Sequence, residues 1–201
     1  MLSPAADPLF AQSQVHGAAA QRRLLQQVLA RVPGRRLALD VGAHIGTWTV
    51  PLAERFQSVI AFEPVAGNRE CLEANVAGRA NVTVLPVAVG ARTGAGSMAF
   101  PGANSGTYYL ERGADVLVVT LDTVVRSPVD FIKIDVEGLE GDVLVGAEGH
   151  LRTSRPAVFF EDNGLGAVHY GPDWTDPKTV LRRNNYRLVV RLAKNELWLP
   201  D

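Results

Sequence analysis

A chain of 201 residues has room for one domain of ordinary size, and 47% hydrophobic with 20% charged residues is the composition of a water-soluble globular protein. Its 20 basic and 21 acidic residues leave a formal charge of -1, which excludes a general electrostatic attraction to nucleic acid or anionic lipid. Cys71 is the single cysteine, so an internal disulfide and a multi-cysteine zinc site are excluded and a reducing compartment is favoured. No apolar run approaches the roughly 20 residues that span a bilayer. Residues 1–7 lack the basic start and apolar stretch of a secretory signal, so the expected setting is the cytoplasm.

Residues 1–16 are rich in Ala, Pro, Ser and Gln without a period, and read as a flexible arm ahead of one domain over 17–201. From Ala18 to Val32, Leu24, Leu25, Val28, Leu29 and Val32 recur at three- and four-residue steps, an amphipathic helix closed by Pro33-Gly34. Its arginines Arg22, Arg23 and Arg31 read as a solvated face. Strands and helices then alternate. Strands are expected at 37–41, 58–62, 82–89, 130–134 and 157–161. Helices are expected at 47–56, 68–76, 121–125, 140–147 and 177–184. Between Gly94 and Val119, glycine-punctuated β-prone pieces point to a small hairpin or lid. Two closing strands, 186–192 and 196–199, are too close for a helical crossover and must form a hairpin through Ala193-Lys194-Asn195. The expected fold is α/β, a mostly parallel sheet with helices on both faces and an antiparallel C-terminal edge hairpin.

Ligands of such a sheet bind at the carboxyl ends of the parallel strands. Reading those ends in order gives Asp40, Glu63, the Val87-Ala88 region, Asp135 and Glu161. After the first strand, Gly42-Ala43-His44-Ile45-Gly46 lacks the middle glycine of a G-x-G-x-x-G turn, and Asp40 precedes it. An acid there repels a pyrophosphate and favours a ligand that carries an ammonium group. S-adenosylmethionine offers an ammonium, a sulfonium and a ribose without a phosphate, and Glu63 is placed to accept hydrogen bonds from both ribose hydroxyls. His44 either contacts this ligand or fills the turn.

The run from Val129 to Gly141 delivers Asp135, Glu137 and Glu140 within six positions. Asp135 is the candidate base toward an acceptor hydroxyl, or the holder of a divalent cation such as Mg²⁺ together with Glu161, Asp162 and Asn163. Glu140 reads as a cap of the following helix. His169 and Tyr170, in an expected loop from Gly164 to Trp174, either touch the acceptor or pack that loop. Cys71 falls among Leu72 and Val76 on a helix and reads as a core residue.

The segments Asp40–Gly46, Phe62-Glu63-Pro64, Pro86–Gly90 and Phe131-Ile132-Lys133-Ile134-Asp135-Val136-Glu137-Gly138 resemble, in this order, the FkbM family of S-adenosylmethionine-dependent methyltransferases. The resemblance implies a Rossmann-like class I methyltransferase fold and methylation of a hydroxyl on a sugar or other small metabolite. By that likeness Asp40, Gly42, Gly46 and Glu63 hold the donor with Ala88 near its adenine; Ala43 and His44 complete the same turn, and the strand-end reading has Asp135 serve catalysis with Glu137 and Glu161 assisting. His44 departs from the Asn or Gly common in such turns. The alternatives are an NAD-dependent oxidoreductase, a non-catalytic S-adenosylmethionine-binding module and, against the charge balance, an RNA methyltransferase. The expected partner is a small-molecule hydroxyl acceptor, with no membrane and no nucleic acid.

Overall fold

The computed structural model describes residues 1, 2, 21, 23–102 and 104–201. The expected arm and the start of the first helix, including Arg22, lie outside the described residues. Residues 23–29 form helix α1. Leu25, Val28 and Leu29, with Val32 just beyond, are buried as the spacing requires, while Arg23 and Arg31 are exposed.

Next come β1 (Leu37–Val41), α2 (Thr49–Ala53), β2 (Ser58–Phe62), α3 (Ala66–Asn75), β3 (Val82–Leu85), β4 (Ala88–Val89), β5 (Gly94–Ala99) and β6 (Tyr109–Val119). The chain continues through α4 (Leu121–Val124), β7 (Phe131–Ile134), α5 (Glu140–Val145), α6 (Glu148–Thr153), β8 (Ala157–Glu161) and α7 (Leu165–Tyr170). It closes with α8 (Pro177–Arg183), β9 (Tyr186–Leu192) and β10 (Asn195–Pro200). Seven strands make the main sheet in the order β3-β2-β1-β7-β8-β10-β9. The pairs from β3 to β8 are parallel, and β10 is antiparallel to both β8 and β9.

Side chains alternate between the two faces of each strand. Leu37, Leu39, Ile132, Ile134, Val158 and Phe160 pack with residues of α4, α5, α6 and α8. Ala38, Phe131, Ala157 and Phe159 pack on the other face with α1, α2 and Trp48. This is the expected α/β Rossmann-like architecture with its antiparallel edge. No helix among the described residues is long and apolar enough to cross a membrane.

Five local expectations are corrected. The strand expected over 82–89 divides at Pro86, which has no N–H for a ladder. Ala88 and Val89 pair instead with Val118 and Val119 in a separate three-stranded sheet, β4-β6-β5, whose β5 and β6 form the expected hairpin. The helix expected over 140–147 stops at Val145, and α6 follows. Asp122, which is distant in sequence, caps α6 by accepting the N–H of Gly149 (2.8 Å) and His150 (3.1 Å). The loop expected from Gly164 contains α7, started by Asn163, whose Oδ1 accepts the Leu165 N–H at 3.0 Å. Cys71 is half-buried rather than in the core. The closing turn is also tighter than expected, with Asn195 already in β10 and Ala193 at φ 55.

Ile132 has no exposed surface in the middle of the sheet. Ile132→Ala is expected to cost about 2–5 kcal/mol by cavity formation, read as a lower denaturant midpoint with an unchanged slope.

Candidate active site

The strand register assembles the centre of the site. Asp40 on β1 is the cross-strand partner of Lys133 on β7, and Lys133 that of Phe159 on β8. Asp135 follows Lys133 by two residues and Glu161 follows Phe159 by two, so the alternation of a strand sends all four charged side chains toward one face. Lys133 is 3% exposed. Its Nζ lies 3.1 Å from Asp40 Oδ1 and 3.7 Å from Asp135 Oδ2, and it donates to the Gly42 carbonyl at 2.7 Å. Burial opposes the ammonium charge, but Asp40 and Asp135 outweigh it and hold Lys133 above the ordinary lysine range.

Asp40 itself has no exposed surface, and its other oxygen accepts the Thr49 hydroxyl at 2.6 Å. Asp40, expected to meet the ligand's ammonium, has Lys133 as its counter-charge and does not line the cavity. The turn after β1 then runs under the ligand space. Gly42 has φ 71, and a Cβ there would lie 1.8 Å from the Asp135 carbonyl, so only glycine lets this turn reach the end of β7. Gly42 and Ala43 donate to the Phe62 carbonyl (3.1 and 3.0 Å), which binds the turn to the end of β2.

Glu63 sits where β2 ends. Its carboxylate is 4% exposed and accepts the N–H of His44 (2.8 Å) and of Val65 (2.9 Å). Burial outweighs these bonds and pushes its pKa up to about 7. His44 Nε2 is 2.7 Å from the Ser105 hydroxyl, and Asn68 donates to the Ser105 carbonyl at 3.0 Å. The loop before β6 thus closes over the turn, enclosing a cavity of about 340 Å³.

Gly42, His44, Glu63, Ala88, Asp135, Glu137 and Glu161 line this cavity, whereas Asp40, Ala43 and Gly46 do not. Ala43 and Gly46 are buried and shape the turn from behind. Lys133, Asn68 and Ser105 line the cavity as well, and sequence reasoning missed all three as site residues. For Lys133 there was a signal, a lysine inside an otherwise apolar buried strand, which needs acidic partners.

At the far end, single carboxylate oxygens of Asp135, Glu137 and Glu161 lie within 4.8 Å of one another. Burial together with the charges of Asp135 and Glu161 pushes Glu137 up to about 7, and burial with Asp135 raises Glu161. Asn163 donates to Glu137 at 3.0 Å, and Asp162 is taken by Lys178 at 2.6 Å. Of the oxygen set expected from Asp135, Glu161, Asp162 and Asn163, Asp135 and Glu161 converge and Glu137 joins them. Glu140, expected to cap the following helix, instead organises the loop before it, accepting the N–H of Val136 and Gly138, each at 3.2 Å, while α5 has no side-chain N-cap bond. His169 and Tyr170 do not line the cavity. His169 stacks on Tyr109 with centroids 4.2 Å apart, and the Tyr170 hydroxyl donates to the Leu110 carbonyl at 2.9 Å, so both fasten α7 to β6.

This geometry has relatives. A crystal structure of FkbM methyltransferase from Methylobacillus flagellatus superposes with a TM-score of 0.57 at 19% identity, covering 82% of this chain and 43% of that one. The chain thus spans less than half the length of that relative. A ribosomal protein L11 methylase from Lactobacillus delbrueckii gives 0.56 at 13% identity, covering 88% and 76%. A Thermus thermophilus 16S rRNA N2 G1207 methyltransferase in complex with S-adenosylmethionine and guanosine gives 0.53 at 15% identity, covering 90% and 42%. No curated protein matches the sequence. These likenesses establish the fold. The family model of the methyltransferase FkbM domain matches residues 40–188, from the buried Asp40 into the edge hairpin, and the chain belongs to that domain family.

Proposed function

We propose that this methyltransferase acts on a hydroxyl oxygen of a small metabolite such as a sugar. The observation that carries the reading is the grouping of Asp135, Glu137 and Glu161 in the same cavity as Glu63 and the Gly42 turn. Bound S-adenosylmethionine supplies a methyl group activated by its sulfonium. Glu63 still has lone pairs after its two backbone bonds and is suited to the ribose hydroxyls. An alcohol is a poor nucleophile until its proton is taken, and Asp135, the most exposed acid beside Lys133, is placed to take it. Methyl transfer then depends on holding the two reactants in line. Three carboxylates repel a phosphate backbone, which weighs against an RNA acceptor. The family match sets aside the dinucleotide oxidoreductase. A cytoplasmic setting belongs to the same proposal, on the strength of a single cysteine.

A second reading rests on the same oxygens. Asp135, Glu137 and Glu161 are the hard donors that Mg²⁺ takes, and a cation held by them would lower the pKa of the acceptor hydroxyl. Dialysis against a chelator separates the two: turnover persists with Asp135 as an unaided base, and falls and returns with added Mg²⁺ if a cation takes part.

The acceptor is found by incubating the protein with methyl-labelled donor and a metabolite extract, then locating the label by mass spectrometry; label on nitrogen or carbon would overturn the oxygen assignment. Asp135→Asn is expected to lower turnover at least 100-fold with S-adenosylhomocysteine affinity unchanged, which also excludes a merely donor-binding module. Because Glu63 must be ionised to accept two hydroxyls and titrates at about 7, affinity for S-adenosylhomocysteine should rise from pH 6 to pH 8 and then level off. Calorimetry on Glu63→Gln should show weaker binding with that rise removed.

A further inference from the structure

We propose that Lys133 is a positioning residue that locks the donor turn to the end of β7 and moderates the cavity's preference for a cationic over a neutral ligand. The inference rests on the methyltransferase reading and concerns a side chain that reading leaves unassigned.

The geometry is that of a three-way tie. One ammonium reaches Asp40 on β1, the Gly42 carbonyl in the turn and Asp135 beyond β7, at 3.1, 2.7 and 3.7 Å. Lysine is rarely buried, and a 3% exposed ammonium persists only where its partners replace water. The bond to Gly42 matters most for position. It fixes the orientation of the peptide that follows the glycine, in a turn whose next N–H groups are already committed to Phe62 and Glu63. A methionine at 133 would fill similar space without donating, leaving the Gly42 carbonyl without a partner and its peptide held by the Ala43 N–H alone.

The charge has a second consequence. Lys133 is the single lysine or arginine lining the cavity among the described residues, against Glu63, Asp135, Glu137 and Glu161. The donor carries a sulfonium, and its demethylated product carries a neutral thioether. A positive charge in the wall restrains the excess of carboxylates from favouring donor over product. Removing it leaves Asp40 and Asp135 without their shared counter-charge, and at cavity distances one unit charge changes a cation's affinity on the order of tenfold.

Binding of S-adenosylmethionine and S-adenosylhomocysteine is measured by calorimetry, with melting temperature as the folding control, for the wild type, Lys133→Met and the double variant Asp40→Asn with Lys133→Met. Lys133→Met is expected to raise the affinity ratio of donor to product about tenfold. The double variant removes one charge of each sign and relieves the buried carboxylate. It should melt near the wild type and return the ratio close to the wild-type value, yet bind both ligands at least tenfold more weakly, because the Gly42 carbonyl still lacks its partner. The double variant alone decides the positioning role if the single variant does not fold. Wild-type affinity in the double variant would overturn that role, and an unchanged ratio in folded Lys133→Met would overturn the charge role. A wild-type protein that binds neither ligand would instead overturn the donor reading itself.

Discussion

The site is organised around a buried ion pair between neighbouring parallel strands. Asp40 and Lys133 face each other in register near the centre of the sheet, both nearly or fully removed from water. Such a pair is weak evidence of stability, since desolvation offsets much of its attraction. Its value here is geometric. It fixes where β1 and β7 end relative to each other, and from those two ends the chain builds the glycine turn and the Asp135 loop. The Gly42 contact with the Asp135 carbonyl, too close for any side chain, binds the two ends a second time.

From that centre the cavity divides by chemistry. One end offers the buried Glu63, oriented by the His44 and Val65 amides and enclosed by the Ser105 loop, and suits a polar ligand. The other end gathers three carboxylates, of which Glu137 is raised to about 7 and Glu161 is also raised. Packing behind the acids is tight. Gly138, at φ 111, lies against α7, where a Cβ would come within 2.7 Å of Gly166 Cα, and His169 and Tyr170 fasten that helix to β6. The acidic end is therefore braced by elements that do not themselves enter the cavity.

Much of this was legible in the sequence. Alternating apolar runs and helical periods located β1, β2, β7, β8 and the edge hairpin, because local pattern and tertiary burial agree there. The acids at strand ends were legible for the same reason, since topology alone sends strand ends to the ligand side. What escaped depended on distant partners. Nothing near α6 announces that Asp122 caps it, and nothing near Asp40 shows that Lys133, over 90 residues away, neutralises it. An acid before a glycine turn reads as a ligand contact when its buried partner is out of view. The choice between acceptor contact and packing stayed open at His169 and Tyr170 for a similar reason, because their stacking and hydrogen-bond partners lie in β6.

The most direct test of the account is a crystal structure of the complex with S-adenosylhomocysteine. The account places both ribose hydroxyls on Glu63 and the thioether sulfur toward Asp135 and Glu161, with Asp40 still paired to Lys133. A ribose held elsewhere, or a sulfur turned away from the three carboxylates, would contradict it.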